Sequence, residues 1–302
     1  MLDKDILSRS PTVLSRSQQQ QYFDDGCLVL PALVPEQTLE RLRSAMRQLV
    51  ESSRTMRESD ETFVLERDHS PENPKLHRVI NPQDRPPAFR EFFTGPVMVE
   101  LAADVVGPDV KFYHSKLNIK SGKGSSAFDW HQDIVGWPHT DFSPATVGIY
   151  LEDCSLDQGP LMFVLETNHG DLYRIHDDRG EFVGTAPEVI AQLDKSRFLA
   201  ATGSAGTVAL VNCRVIHGSG VNHSPLSRPL LPPVYTSADS FCYVENPIPT
   251  PRAGEIVKGN AARFASFDTR PCPMPPDWPR KKSNPWPSQA REEIGRSNVA
   301  GA

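Results

Sequence analysis

The sequence predicts a mainly β fold with flanking helices, built as an antiparallel sandwich or jelly roll. Three observations carry this expectation. Between residues 110 and 236 short β-type runs follow one another, "VKFYHSKLNIK", "TVGIYLED", "GPLMFVLE", "GTVALVN", "RVIHGSG" and "LPPVYTSAD", with turn residues between them. They lack intervening helices of crossover length, so the strands should pair antiparallel rather than as βαβ units. Ahead of them, apolar residues instead recur every three to four positions, which is the helical period.

Taken in order, residues 1–16 are polar and without periodicity, and are expected to be a loose arm. The segment "QQQYFDDGCLVLPALVPEQTLERLRSAMRQLVE" predicts a short helix, a turn at Gly26, an apolar strand over Cys27–Leu30 and a longer helix. In that helix Leu39, Leu42, Met46 and Leu49 make one apolar stripe. Residues 53–92 are charged and broken by proline, and are expected to be loops that close over something. A helix follows from Pro96 to Val106 and stops at Gly107-Pro108. Among the later strands, "APEVIAQLDKSRFLAA" is expected to be an inserted helix. From Asn246 prolines crowd the chain, so residues 246–302 are expected to form neither ladder nor helix and to wrap the surface or stay partly disordered. Residues 17–245 would then be a single domain.

At 302 residues and 38% hydrophobic content, the chain is long enough to bury a sizeable core. Its formal charge of −6, from 32 basic and 38 acidic side chains, argues against a nucleic-acid partner. No window approaches the roughly eighteen apolar residues of a membrane span, and the start lacks the apolar stretch of a signal peptide, so a cytoplasmic protein is expected. The five cysteines, Cys27, Cys154, Cys213, Cys242 and Cys272, are widely spaced with no Cys-x-x-Cys pair, and are expected to be reduced core residues. The expected partner is a small-molecule substrate, with a homodimer left open.

The stretch "DWHQDIVGWPH" places His131 two residues from Asp133. In an extended chain residues i and i+2 face the same way, so both side chains can meet one ion. Two ligands do not hold a metal, and the third should come from a neighbouring strand. His217, ending the apolar run "TVALVNCRVI", is the best candidate; His223, beyond the glycines, is its rival. Arg228, eleven residues after His217, favours the first choice, because a guanidinium is the natural bidentate partner of a carboxylate. Ser219 could share that anion. Two imidazoles and one carboxylate on one face of an octahedron leave three positions open, as in non-haem iron oxygenases.

With these residues in place, the sequence resembles the phytanoyl-CoA dioxygenase superfamily of iron(II)- and 2-oxoglutarate-dependent oxygenases. The likeness covers most of the chain, from "FDDGCLVLPALVPEQTLERLR" through "LEDCSLDQGPLMFVLETNHG" to the spacings of His131-x-Asp133 and of His217 to Arg228. It implies a double-stranded β-helix (cupin-like jelly roll), iron(II) on His131, Asp133 and His217, and 2-oxoglutarate held by Arg228, Ser219 and Asn118, with O2 as the second cosubstrate. Within the superfamily the chain is most similar to the ectoine-hydroxylase type. There an asparagine thirteen residues before the first ligand contacts 2-oxoglutarate, which is the place of Asn118, and a pocket tryptophan matches Trp137. His114 stands where that type has a glutamine and Lys116 where it has an arginine, so Trp137, His114 and Lys116 are the implied substrate-binding residues. Halogenating relatives replace the carboxylate by a small residue; this chain keeps Asp133, which implies hydroxylation.

Each of these residues also has a plainer reading. Tryptophans mostly pack cores, single cations such as Lys116, Arg78 and Lys123 mostly face water, and His114, His139 and His223 can be hydrogen-bonded bystanders. A zinc or iron hydrolase could use the same three ligands without needing Arg228, and a metal-free binding module could keep the barrel alone. For the substrate, charged lid segments with few aromatics point to a small polar or zwitterionic metabolite, such as an amino acid, a cyclic amino acid derivative or a phosphonate. The alternatives are a larger natural-product scaffold or an acyl-CoA thioester.

Overall fold

The computed structural model describes residues 3–275. Helices α1 (Asp3–Leu7) and α2 (Arg16–Asp25) open the chain. A capping box at Ser15 and Gln18 starts α2, and Gly26, in the left-handed region at φ 80°, ends it and turns the backbone into strand β1 (Cys27–Leu30). The expected loose arm is overturned for residues 3–16. Ile6 and Leu14 are buried, and the Asp104 carboxylate accepts hydrogen bonds from the backbone N–H groups of Thr12, Val13 and Leu14 at 2.7–2.9 Å. That partner lies some ninety residues away, so no local pattern announces it.

Helix α3 (Glu36–Ser52) buries Leu39, Leu42, Ala45 and Leu49 as its stripe predicts, with Met46 at the margin. The loops expected over residues 53–92 hold more structure than their composition suggests. Strands β2 (Phe63–Leu65) and β3 (Leu76–Ile80) form a hairpin that extends the main sheet, and α4 (Pro87–Phe93) follows. All five residues of β3 are buried, because the strand sits against its neighbour rather than over the surface. Helix α5 (Pro96–Val106) has the predicted bounds.

The β-rich part runs β4 (Val110–His114), β5 (Lys116–Lys120), β6 (Phe128–His131), α6 (Asp133–Gly136), β7 (Ala145–Tyr150), β8 (Leu161–Val164), α7 (Pro187–Gln192), β9 (Phe198–Ala201), β10 (Val208–Asn212), β11 (Ile216–Ser219), β12 (Arg228–Leu231), β13 (Val234–Ser237) and β14 (Ile256–Lys258). The strand pairs are antiparallel, in a large sheet with the path β14-β4-β13-β7-β12-β5-β3-β2, joined by β10 and β1, and a smaller one ordered β6-β11-β8-β9. This is the predicted jelly roll. The expected helix after Ala186 stops at Gln192. Leu193 turns extended, Asp194 caps a short 3-10 turn, and Phe198–Ala201 pairs with β8 instead. The chain after Asn246 also contradicts its expectation, since the proline-free stretch at β14 forms a ladder with β4. The remainder of that expectation, over residues 276–302, lies outside the described residues.

Period-two alternation decides what the large sheet offers to each side. Val79, Leu117, Ile119, Val147, Ile149 and Leu231 join α2, α3 and α5 in the main apolar core. Their neighbours in sequence, Arg78, Lys116, Asn118, Thr146, Arg228 and Leu230, instead line a cavity between the two sheets.

Candidate metal centre

His131 and His217 are direct cross-strand partners on β6 and β11, so their rings project from one face side by side, with centroids 4.3 Å apart. Asp133 lies just past the end of β6, at the start of α6, and not on the strand itself. The two-residue rule still holds, because Gln132 keeps an extended backbone at φ −116°, ψ 123°. Gln132 points the other way and is fully buried. Its amide donates to the carbonyls of Asp171 and Arg214 and accepts from Tyr173 N–H, which pins the turn that aims Asp133.

His131 Nε2 is 3.7 Å and His217 Nε2 3.9 Å from Asp133 Oδ1, and the three ligand atoms lie within 4.8 Å of one another. That is on the scale of two metal–ligand bonds of about 2.0–2.2 Å each. The other ring nitrogens are already engaged. His131 Nδ1 meets Asp129 O at 2.7 Å and His217 Nδ1 meets Val215 O at 3.0 Å, which leaves each Nε2 lone pair facing the third member. Thr146 donates its hydroxyl to Asp133 Oδ2 at 2.8 Å, so Oδ1 is the oxygen free to coordinate. Burial, reinforced by the charge of His217, pushes the His131 pKa down to about 3, favouring the neutral, ligating imidazole. Burial alone would raise Asp133, but the charges of His217, His131 and Lys116 and the Thr146 hydroxyl hold it below the usual carboxylate range. The donor set fits a divalent ion.

The rival His223 is exposed, and its backbone N–H is hydrogen-bonded to Asp157 O. The cavity beside the triad measures about 70 Å³. Arg228, at the start of β12, is 1% exposed, and its Nε and Nη1 have no hydrogen-bond partner; the same is true of Ser219 Oγ on β11. A buried guanidinium and a buried hydroxyl with donors to spare on the wall of one cavity fit the far carboxylate of a chelating diacid. Asn118 faces the cavity from β5, and its Oδ1 accepts from Arg78 Nε at 2.8 Å, leaving its N–H2 as the end available to a ligand.

His114 and Lys116 also line the cavity. Burial holds His114 neutral, well below its ordinary pKa, and pushes Lys116 down to about 8, helped by the nearby Arg78 charge. Trp137, expected as a pocket wall, is not among the side chains that line this cavity. It is 1% exposed and packs with Tyr113, Ile134 and Ile175, meeting the His114 ring edge to face at 5.7 Å. Arg78 is the residue whose plainer reading misleads. It is no solvated cation but is 2% exposed, over the Phe128 ring at 5.0 Å and on the cavity wall. The β-forming run "LHRVI" around it was the available signal. Thr146 carried no sequence signal at all, because its partner lies on another element.

The family model for phytanoyl-CoA dioxygenase (PhyH) matches residues 22–230. The chain belongs to that family. It is 27% identical over 230 residues, covering 74% of this chain and 79% of its relative, to a probable alpha-ketoglutarate-dependent hypophosphite dioxygenase of Stutzerimonas stutzeri. It is 24% identical over 247 residues to an ectoine dioxygenase of Streptomyces avermitilis, covering 76% of this chain and 81% of the relative. The crystal structure of EctD from S. alaskensis with 2-oxoglutarate and 5-hydroxyectoine has the same fold, with a TM-score of 0.67 and 22% identity over 85% of this chain and 89% of the other. As a member of the phytanoyl-CoA dioxygenase family, the protein is an iron(II)- and 2-oxoglutarate-dependent dioxygenase that acts on a small molecule. Among the described residues no helix is long and apolar enough to cross a membrane.

Proposed function

We propose that this dioxygenase hydroxylates an unactivated carbon of a small polar metabolite, with His131, Asp133 and His217 holding iron(II) and Arg228, Ser219 and Asn118 holding 2-oxoglutarate. The observation that carries the reading is the pairing of two features in one cavity: three inward-facing ligand atoms, and a buried guanidinium and hydroxyl with unused donors. Iron(II) and 2-oxoglutarate, when bound, supply the oxidising power that places one oxygen atom of O2 on a C–H bond and the other in succinate. The chain's own residues do the positioning. Arg228 and Ser219 neutralise and orient the distal carboxylate, Thr146 keeps Asp133 turned toward the ion, and the buried walls keep bulk water from the reacting carbon.

A small polar substrate is supported by the polar groups His114, Lys116 and Arg78 on the cavity wall. The names of the relatives agree, since hypophosphite and ectoine are both small and polar. Amino acids, cyclic amino acid derivatives and phosphonates are the compounds to try first. The test is a metabolite library screened for substrate-dependent succinate release, with the product gaining one oxygen in mass. Activity confined to acyl-CoA thioesters or polycyclic compounds would contradict the small-substrate reading.

A further inference from the structure

An asparagine amide has two ends of nearly equal shape and opposite polarity, and its terminal torsion is close to two-fold, so either end can face a neighbour. Toward a carboxylate the two ends are not equivalent, because the N–H2 donates to it and the carbonyl oxygen repels it. Asn118 lines the cavity, and the end it presents there decides whether it helps or hinders the binding of a diacid. The neighbouring strand makes that choice. Arg78 on β3 is the register partner of Asn118 on β5, both side chains line the cavity, and Arg78 Nε donates to Asn118 Oδ1 at 2.8 Å. A guanidinium only donates. Turning the amide over would set its N–H2 against Nε–H, so this bond keeps the oxygen toward Arg78 and leaves the N–H2 for a ligand.

Arg78 is itself held in place. It is 2% exposed, and its guanidinium lies over the Phe128 ring at 5.0 Å. The same ring stacks on His77, with centroids 5.5 Å apart and planes 17° from parallel, and His77 Nδ1 lies 3.6 Å from Glu66 Oε1. Burial pushes the Arg78 pKa down only to about 10, so at neutral pH every guanidinium nitrogen keeps its protons and Nε remains a donor. The donor that faces Asn118 is therefore fixed in position and in protonation.

We infer that Arg78 is a positioning residue for the cosubstrate: through Nε it locks the amide of Asn118 so that the N–H2, and not the oxygen, meets 2-oxoglutarate. This rests on the 2-oxoglutarate site assigned above, and it adds a residue that acts through Asn118. The hydrogen bond carries the effect, and the charge of Arg78 does not.

Two substitutions separate the bond from the charge. Glutamine carries its amide N–H2 on the third side-chain carbon, where arginine carries Nε, but is neutral; methionine has a methyl group at that place. The test is anaerobic calorimetry of 2-oxoglutarate binding to the iron(II)-loaded parent and variants, each first checked for folding by far-UV circular dichroism and for parent-like iron(II) affinity. Arg78→Met and Asn118→Ala should each weaken 2-oxoglutarate by about tenfold, and Arg78→Gln should recover most of what methionine loses. Added to Asn118→Ala, Arg78→Met should cost no more than about twofold, because no amide is left to orient. Equal losses in Arg78→Gln and Arg78→Met would assign the effect to charge and overturn the inference. So would parent-like affinity in Arg78→Met, or losses that multiply in the double variant. Should Arg78→Met not fold, Arg78→Leu takes its place, and a loss of about tenfold in Arg78→Gln by itself overturns the inference. Parent-like affinity in Asn118→Ala, or a parent that does not bind 2-oxoglutarate, would instead remove the cosubstrate site as assigned, and the role of Arg78 with it.

Discussion

At the scale of single residues, the site is a set of side chains whose second atoms are already committed. His131 and His217 each tie Nδ1 to a backbone carbonyl, and Asp133 ties Oδ2 to Thr146. The assignment of His217 over His223 is directly checkable. His217→Ala should abolish iron-dependent 2-oxoglutarate turnover, whereas His223→Ala, on an exposed loop, should retain it; the opposite outcome would mean that the wrong histidine was chosen. Thr146→Val removes only the hydrogen bond that turns the carboxylate, and should weaken iron binding by about 10–100-fold, the usual cost of losing an outer partner. Metal titration followed by calorimetry measures it. Arg228→Ala should raise the 2-oxoglutarate KM by about 10–100-fold, from the loss of charge-assisted hydrogen bonds, and Arg228→Lys should recover little because the fork geometry is gone. An unchanged KM in either variant would speak against the clamp.

Among the elements, β6 and β11 decide whether the triad exists, and their contact depends on Gly218. A Cβ there would come within 2.9 Å of Phe128 O and 3.3 Å of Trp130 Cα, both backbone atoms of β6. Gly218→Ala should push the strands apart between the two histidines and weaken iron binding, while far-UV circular dichroism still reports a folded β protein. Retention of full iron affinity would show that the pairing tolerates the methyl. This scale also explains what was legible beforehand. The helices with a single apolar stripe, such as α3, and strands of alternating or wholly apolar character, such as β7 and β10, announce themselves through short-range periodicity. His131, Asp133, His217 and Arg228 could be singled out because their chemistry and spacing lie within two short stretches of chain. What escaped depended on partners remote in sequence. β3, with Arg78 turned inward, reads as a surface loop until β5 lies beside it, and the packing of Trp137 against Tyr113 and Ile175 joins residues remote in sequence.

For the whole molecule, the large sheet divides its faces: one packs on the helices, and the other turns cations and neutral polar groups into the cavity. The N-terminal segment takes part in this architecture through Asp104, which is 5% exposed and binds three consecutive backbone N–H groups. Asp104→Ala should lose about 1–3 kcal/mol of stability and lower Tm by several degrees. A Tm equal to that of the parent would mean that the segment adds nothing to folding. The central claim is that one iron(II), held by His131, Asp133 and His217, drives 2-oxoglutarate turnover in this fold. The measurement that reaches it most directly is succinate formation by protein stripped with a chelator and then given iron(II) or zinc(II), alongside His217→Ala and Asp133→Ala. The account predicts that iron(II) alone restores succinate, at one ion per chain, and that neither variant regains it. Turnover supported by zinc(II), or surviving in either variant, would contradict it.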